Sequence, residues 1–262
     1  MLLRLRRHQR KHQWKIVGAT EKGNVTQRPN KVNEDWLEIL EPITVKGIAT
    51  HCTLVLDGMG GRPEADRMSR AGGAALSYFW EHCPPKRTGS RYIKNWGRSV
   101  FTAAHQAVYK LKLPNRAWWE SGTTAIMALY INDTVHTVHC GDSPALRFSL
   151  KRGLEQFTID HDWAGFAKLK GLDPPPGWQC YLESYLGKIP LDPRFDYNRV
   201  QVEPGDIIVT CTDGLINCLG TAHLSWVLAQ EWTLEEKRDW LVNQFLDGDG
   251  GDDMTFTLAQ YI

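Results

Sequence analysis

The sequence lacks the features that would assign it to a membrane, secreted or modular class. Its 262 residues contain no apolar run near the roughly 20 residues that cross a bilayer. The first residues are interrupted by arginines and so lack the apolar core of a signal peptide. No internal repeat, low-complexity tract or polar linker divides the chain. We therefore predict one domain over residues 14–262, in the cytoplasm and without a membrane contact, preceded by a short arm over residues 1–13.

Cysteine chemistry is also sparse. The six cysteines lie far apart, and no two have the C-x-x-C spacing typical of zinc or redox sites. Cys52, Cys140 and Cys211 lie in apolar runs, where a thiol behaves as a small hydrophobic side chain. A disulfide framework is not expected in a chain of this length and compartment. The sequence thus predicts free thiols.

The charge is small overall but unevenly distributed. Residues 1–15 carry six Lys or Arg and no acid, so the rest of this chain of net charge +1 is acidic. A basic arm can attract nucleic acid, anionic lipid or an acidic partner. We favour the simpler interpretation, a solvated terminus that leads into the first strand, and expect no nucleic-acid partner.

The pattern of apolar residues predicts more strand than helix. Strands are indicated over 14–19, 36–40, 51–56, 123–131, 134–140, 145–150, 200–202, 207–212 and 254–262. Helices are indicated over 65–82, 93–111 and 233–246, the last by the capping-box spacing of Thr233-Leu-Glu-Glu236. We expect hairpins around 132–133 and around 204–206, and an irregular surface flap over about 161–185. This order favours an α+β fold of antiparallel sheets packed with helices.

Several aspartates stand at the ends of the predicted strands. Asp57 and Asp213 each follow an apolar run and precede a glycine, Asp142 occurs in Gly-Asp-Ser, and Asp252 in Gly-Asp-Asp. A single strand-end aspartate is usually a turn residue, but four of them indicate a shared site. Carboxylate oxygens are the ligands that Mg²⁺ and Mn²⁺ prefer. The sequence therefore predicts a site for hard divalent cations.

Six short motifs, in order, carry a family resemblance. They are Asn33-Glu34-Asp35, Val55-Leu-Asp57-Gly-Met-Gly-Gly61, Ser121-Gly-Thr-Thr124, Gly141-Asp-Ser143, Pro204-Gly-Asp-Ile-Ile-Val-Thr-Cys-Thr-Asp-Gly-Leu215 and Gly251-Asp-Asp-Met-Thr255. Together they resemble the metal-dependent protein phosphatases of type 2C, the PPM family, over roughly residues 14–262. The resemblance implies a four-layer α-β-β-α sandwich with the metals in a cleft at one edge.

The same resemblance implies roles for the site residues. Asp57 would bridge two Mn²⁺ or Mg²⁺ ions, Gly58 would offer its carbonyl to one, and Glu34 would serve that ion directly or through water. Asp213 and Asp252 would hold the other ion. Such a pair of cations activates a water for attack on a phosphoryl group, and no cysteine need take part.

Further expectations follow from the resemblance. Asp142 matches a position that helps to bind a third, weaker ion. The activity would be hydrolysis of phosphoserine or phosphothreonine in a phosphoprotein, the target of a partner Ser/Thr kinase. The compact single domain is expected to act as a monomer.

The phosphate-binding side departs from the family pattern. Asn30 stands where members usually carry an arginine that clasps phosphate, and Arg28 lies close enough to replace it through a short loop insertion. Arg62 follows the D-G-M-G-G motif where a proton-donating histidine is common. Arginine does not donate its proton at neutral pH, but Arg62 could bind phosphate instead. The motif positions Pro144 and Asp253 also differ, replacing the usual arginine and asparagine.

These departures leave alternatives open. The chain could be a pseudophosphatase, a fold that keeps its metal ligands but acts as a regulatory protein-binding module. Within the enzyme class, a small-phosphate hydrolase is equally compatible with the motifs. Among the 11 tryptophans, Trp118, Trp119, Trp163 and Trp178 are the candidates for contact with a substrate or partner, although tryptophan in a core is commoner.

Overall fold

The structure is a computed structural model and describes residues 13–24, 32–59, 64–173, 177, 181–189, 193–248 and 251–262. Within these residues the chain forms two five-stranded antiparallel sheets and five α-helices. The basic arm, apart from Gln13, lies outside the described residues. Gln13 pairs through its backbone with Ile262, at the other end of the chain.

The first sheet has the order β1-β10-β9-β6-β7. Its strands are β1 (Trp14–Glu21), β6 (Ala145–Ser149), β7 (Gly153–Gln156), β9 (Ile207–Cys211) and β10 (Met254–Tyr261). The terminal strands β1 and β10 pair in register from Trp14–Tyr261 to Glu21–Met254. The two ends of the domain are therefore joined in one sheet.

The second sheet has the order β2-β3-β4-β5-β8. Its strands are β2 (Asp35–Val45), β3 (Ile48–Asp57), β4 (Ala125–Ile131), β5 (Thr134–Cys140) and β8 (Asp196–Gln201). The predicted hairpin at 132–133 is confirmed, and Asn132 adopts φ 51° in its turn. Asparagine tolerates this left-handed conformation better than most residues.

The helices cover the outer faces of both sheets. They are α1 (Ala65–His82), α2 (Ser90–Lys112), α3 (Trp163–Lys170), α4 (Asp213–Ala229) and α5 (Leu234–Asp247). The predicted capping box is present, since Thr233 and Glu236 bond reciprocally at the start of α5. Of the helices in the described residues, none is long and apolar enough to span a bilayer.

Alternating side chains of each central strand build three apolar layers. In β3, Leu54 and Leu56 pack with α1 and α2, whereas Val55 between them faces the other sheet. A second layer lies between the sheets around Tyr130 and Ile208. The third joins the first sheet to α4 and α5. The four-layer α-β-β-α sandwich of an α+β fold is thus confirmed.

Other predictions about the chain's segments were less accurate. Residues 200–202 and 207–212 do not form a hairpin, because β8 pairs with β5 and β9 lies between β10 and β6 in the other sheet. Every residue of β9 is buried. Such a strand belongs in the middle of a sheet, whereas the more polar β8 suits an edge. The helices α3 and α4 and the strand β7 were not indicated by the sequence pattern.

The cysteines that the structure describes have free thiols, as predicted. Cys52, Cys140 and Cys211 are buried, and Cys83 and Cys218 are also free. Cys180 lies outside the described residues.

A buried ion pair holds the turn at which the chain passes from β8 in one sheet to β9 in the other. Arg147 of β6 donates from Nε to Asp206 Oδ2 at 2.9 Å, and its Nη2 lies 2.7 Å from the same oxygen. This carboxylate also accepts from the backbone N–H of Glu203 at 2.9 Å. Both charged side chains are more than 90% buried. The pair therefore holds the turn before β9 against its neighbour β6.

We predict that Asp206→Ala lowers the free energy of unfolding by about 3–5 kcal/mol, because it leaves the Arg147 guanidinium buried without its counter-charge. The measurement is urea denaturation followed by circular dichroism. Glu203→Gln is the matched control, since it breaks the exposed pair with Lys151 and should leave the midpoint unchanged. Equal effects of the two substitutions would contradict the prediction.

Candidate metal centre

The predicted acidic residues meet at one edge of the sandwich. Asp35 begins β2 and is paired in register with Asp57, the last residue of β3. Asp213 begins α4 directly after β9 and Thr212, and Asp252 precedes β10. Because each of these positions ends or begins a paired strand or a packed helix, the backbone that carries the carboxylates is held in place by the sheets.

Asp57 is fixed by the Ser121-Gly-Thr-Thr124 motif. Its carbonyl accepts from the backbone N–H of Thr124 at 2.8 Å and from the hydroxyl of Thr123 at 2.8 Å. Its own N–H donates to Thr124 Oγ1 at 2.9 Å. That hydroxyl also shares a 2.6 Å hydrogen bond with Ser143, next to Asp142. Thr123, Thr124 and Ser143 of these two motifs thus position the backbone beside Asp57 and Asp142.

Asp253 holds the backbone of Gly23 and Glu34 by hydrogen bonds. Its two carboxylate oxygens accept from the backbone N–H groups of Gly23 at 2.8 Å and Glu34 at 2.7 Å. Its own N–H donates to Asp252 Oδ1 at 2.9 Å. The aspartate in place of the usual asparagine therefore joins three segments of the site through the backbone. The Glu34 side chain itself is buried.

The glycines after Asp57 and Asp213 are required by close backbone packing. An added Cβ at Gly58 would collide with the carbonyl oxygens of Glu34 and Ala65, and one at Gly214 with that of Asp253. Gly58 also donates its N–H to the carbonyl of Glu34 at 3.1 Å. The D-G pairs are thus explained by packing, and the predicted role of the Gly58 carbonyl at a metal stays a prediction.

The carboxylates repel one another strongly. Burial raises the pKa of Asp57 well above its ordinary value, and the charges of Asp35, Asp213, Asp142 and Asp252 raise it further. Burial and the charge of Asp252 likewise raise the pKa of Asp213. Asp57 and Asp213 are within hydrogen-bond reach of each other. Folding without a bound cation therefore favours the protonated form of these carboxylates.

Two members of the cluster were missed at the level of sequence. Burial raises the pKa of Asp35 to about 8, although hydrogen bonds from Thr255 and Thr212 lower it. The bond from the Thr212 hydroxyl is 3.0 Å long. Burial and the charge of Asp162 raise that of Asp160 to about 7. Asp35 could have been recognised from its pairing position opposite Asp57. Nothing in the local sequence distinguishes Asp160 from a loop residue.

Asp142 lies in the same field of negative charge. Burial raises its pKa to about 8, and the charge of Asp213 is the next largest cause. Its neighbour Gly141 is held by His161, which accepts from the Gly141 N–H at 3.3 Å and donates its own N–H to the Gly141 carbonyl at 3.0 Å. His161 thus has a structural role beside Asp142.

The donor chemistry fits hard divalent cations. The gathered groups are carboxylates, the ligands that Mg²⁺ and Mn²⁺ prefer, and their raised pKa values show the excess of negative charge that such ions would neutralise. Within the described residues, however, no group of three or more His, Cys, Asp or Glu is already arranged to hold a metal ion. Binding therefore requires the carboxylates to ionise and converge.

The phosphate-binding candidates remain untested by the geometry. Arg28 and Arg62 both lie outside the described residues, as does Trp178. Of the other tryptophans singled out above, Trp119 is 40% exposed near Ser121, while Trp118 packs partly against the core. Trp163 begins α3 and packs edge-on to Phe166.

Comparison with known proteins agrees with this architecture. A family profile described as "Protein phosphatase 2C" matches residues 87–164. Protein phosphatase PhpP of Streptococcus pneumoniae is 24% identical over 214 residues, which cover 79% of this chain and 84% of PhpP. Serine/threonine phosphatase stp of Listeria monocytogenes is 22% identical, with 79% and 83% covered.

Solved structures share the fold. The Streptococcus agalactiae serine/threonine phosphatase superposes with a TM-score of 0.81 at 22% identity, covering 95% of this chain and 99% of that one. The Mycobacterium tuberculosis phosphatase PstP/Ppp gives 0.72 at 20% identity, with 94% and 98% covered.

The α-β-β-α sandwich of this chain is the fold of these bacterial serine/threonine phosphatases. The chain is similar to the type 2C phosphatases in its motifs, in the profile match over residues 87–164 and in its fold. The resemblance drawn from the six motifs is thereby confirmed.

The carboxylate cluster predicts that the metal-free protein loses stability as pH rises from 6.5 to 8. With folded-state pKa values of about 8, Asp35 and Asp142 keep protons that the unfolded chain has lost above its pKa of 3.8. Raising the pH therefore favours the unfolded chain, by on the order of 2 kcal/mol over this range. Urea denaturation in the presence of chelator measures it.

Two buried histidines explain why the predicted loss of stability begins only at about pH 6.5. His136 and His139 have pKa values lowered to about 4 by burial, so they stabilise the fold as pH rises, but only up to about 6.5. Asp35→Asn should reduce the slope above pH 6.5, whereas the exposed Asp239→Asn should not. Excess Mn²⁺ should reverse the slope, because cations bind ionised carboxylates. A flat or rising stability in chelator would refute the prediction.

Proposed function

We propose that this chain is a metal-dependent protein phosphatase that hydrolyses phosphoserine and phosphothreonine at a centre of two Mn²⁺ or Mg²⁺ ions. The observation that carries the proposal is the cluster of mutually repelling, buried and half-buried carboxylates at the sandwich edge. Such a cluster costs folding energy and needs a compensating function. The names of the relatives, serine/threonine phosphatases of bacteria, support the same activity.

Five residues would hold the two ions. Asp57 would bridge them, with Glu34 and the Gly58 carbonyl on one side and Asp213 and Asp252 on the other. The position of Asp57 at a strand end, opposite Asp35 and within hydrogen-bond reach of Asp213, supports its central role. Asp142 would bind a third, weaker ion. The charge of Asp213 raises its pKa, which supports a position close to the two-ion centre.

The protein's own contribution is placement. When bound, the two cations supply Lewis-acid activation of a water and neutralise charge on the phosphoryl oxygens. Thr123 and Thr124 hold the backbone of Asp57, and Asp253 holds that of Glu34, so these carboxylates would meet the ions from fixed directions. Arg28 or Arg62 would bind the substrate phosphate through a guanidinium fork.

The finer biological setting stays a prediction. A phosphoprotein that is also the target of a Ser/Thr kinase, a monomeric state and a cytoplasmic location remain the expectations drawn from the sequence. The alternative, a pseudophosphatase that binds a partner without turnover, becomes the better hypothesis if the activity test below fails.

We predict that the protein hydrolyses an aryl phosphate in the presence of Mn²⁺ and that chelator abolishes the turnover. Asp57→Asn and Asp213→Asn should each lower kcat/KM at least roughly hundredfold, because each removes a carboxylate from the ions that stabilise the transition state. The exposed Asp247→Asn is the control and should keep full activity. No metal-dependent turnover in the wild type would favour the pseudophosphatase.

A second measurement tests the phosphate-binding arginines. Arg28→Ala or Arg62→Ala should raise KM for the aryl phosphate roughly tenfold, whichever residue contacts the ground-state phosphate. A loss confined to kcat would instead indicate contact in the transition state. If both single variants and the double variant behave like the wild type, neither arginine has the proposed role.

A further inference from the structure

A groove between α4 and α5 opens at the carboxylate centre. It begins at Gly214 and Asp252 and has a volume of about 610 Å³. Along its length it passes between helix α4 and helix α5. Its described lining residues are Gly214, Asn217, Cys218, Leu219, His223, Trp240, Gln244, Phe245, Gly248, Gly251 and Asp252. The groove is therefore continuous with the site at which phosphate hydrolysis is proposed.

A second cavity lies beside this groove, with Trp240 in the lining of both. It has a volume of about 300 Å³. Its other lining residues are Trp232, Glu236, Asp239 and Asn243. We call the two cavities together the α4–α5 groove. Its two parts meet at Trp240: one reaches the carboxylates, and the other is lined by two indole rings and two acids.

Three tryptophans form the surface around the outer pocket. The ring centroids of Trp226 and Trp240 are 5.5 Å apart, those of Trp226 and Trp232 5.8 Å, and those of Trp232 and Trp240 6.4 Å. Trp226 is 49% exposed, although it is among the most apolar of large side chains. Indole faces are the best aromatic partners for the cations of arginine and lysine.

The charge of the groove has one sign. Asp252, Glu236 and Asp239 line it, and none of its described lining residues is Lys or Arg. Glu236 already caps α5 through Thr233, and Asp239 pairs with its neighbour Arg238 at 2.6 Å, but both carboxylates are exposed and able to accept further bonds. Lys237, between these residues, is turned inward and donates to the carbonyl of Gln230.

We propose that the α4–α5 groove binds a basic segment of the phosphoprotein substrate, with an arginine or lysine side chain on Trp232 and Trp240 beside Glu236 and Asp239. The phosphorylated residue then lies at the carboxylate centre, a few residues along the same segment. This inference rests on the proposed function for the position of the phosphate. The binding of the basic segment itself rests only on the groove.

The chain has a second candidate occupant, its own basic arm. Residues 1–12 carry five Lys or Arg and precede β1, whose Lys15 pairs with Glu235 at the start of α5 at 2.6 Å. The continuity of the groove with Asp252 and Gly214 favours the substrate, because an occupant of the outer pocket is thereby aligned with the reacting centre. The experiment separates the two.

The kinetic test uses phosphothreonine peptides that carry an Arg-Arg, Ala-Ala or Glu-Glu pair at two to eight residues from the phosphate, on either side. We expect the Arg-Arg peptide of the right spacing to have a KM about tenfold below that of Ala-Ala, and the Glu-Glu peptide a higher KM. Asp239→Lys should lower the ratio of kcat/KM for this peptide to kcat/KM for an aryl phosphate about tenfold, mainly through KM.

The control has the same charge change elsewhere. Glu155→Lys alters an exposed acid on the edge strand β7 and should change the ratio less than twofold. Equal effects of both variants would show a general effect of net charge and overturn the proposal. So would a set of KM values that does not depend on the Arg-Arg pair.

A binding test does not depend on turnover. The unphosphorylated Arg-Arg peptide, added to the full chain in chelator, should quench tryptophan fluorescence with saturation, and Trp232→Phe and Asp239→Lys should each weaken the apparent affinity at least threefold. Saturable quenching without aryl-phosphate turnover would refute the proposed activity but keep the groove. If the peptide binds only after the cations of residues 1–12 are replaced by glutamine, the arm is the occupant and the proposal is overturned.

Discussion

The repulsion among buried carboxylates is the constraint on which the rest of this structure depends. Asp57, Asp35 and Asp142 are held at one edge of the sandwich with pKa values far above those of exposed acids. Folding brings these charges together only because each is attached to a strand or helix end whose backbone is already bonded. The sheets thus supply the energy that opposes the repulsion, and a bound cation would remove it.

The supporting contacts act on the backbone more than on the carboxylates themselves. Thr123 and Thr124 bind the peptide groups of Asp57, and Asp253 binds those of Gly23 and Glu34. Direct hydrogen bonds to the carboxylates are fewer, such as those that Asp252 accepts from the Asp253 N–H and Asp213 from Asn217. This division also explains why Asp253 can replace an asparagine: an oxygen acceptor for two N–H groups is what the position needs.

Most of the fold and much of the site could be predicted from short patterns. The strand ends, α1, α2 and the capping box of α5 follow from local periodicity, and the D-G, G-D-S and G-D-D motifs mark Asp57, Asp213, Asp142 and Asp252. The false hairpin of β8 and β9 shows the limit. Two adjacent strands with a turn between them look alike whether they pair or separate, and only the burial of β9 between two neighbours decides it.

The sequence by itself carried the resemblance to the type 2C phosphatases, marked four of the carboxylates and, through that resemblance, implied the layers, because motifs depend on residue type and on spacing along the chain. Only the tertiary structure showed that Asp35 and Asp160 join the cluster, that the glycines serve backbone packing, and that α4 and α5 form a groove from Asp252 to Trp232 and Trp240. These features depend on segments far apart in sequence. Their distances are set by the packing of whole layers, which no local pattern records.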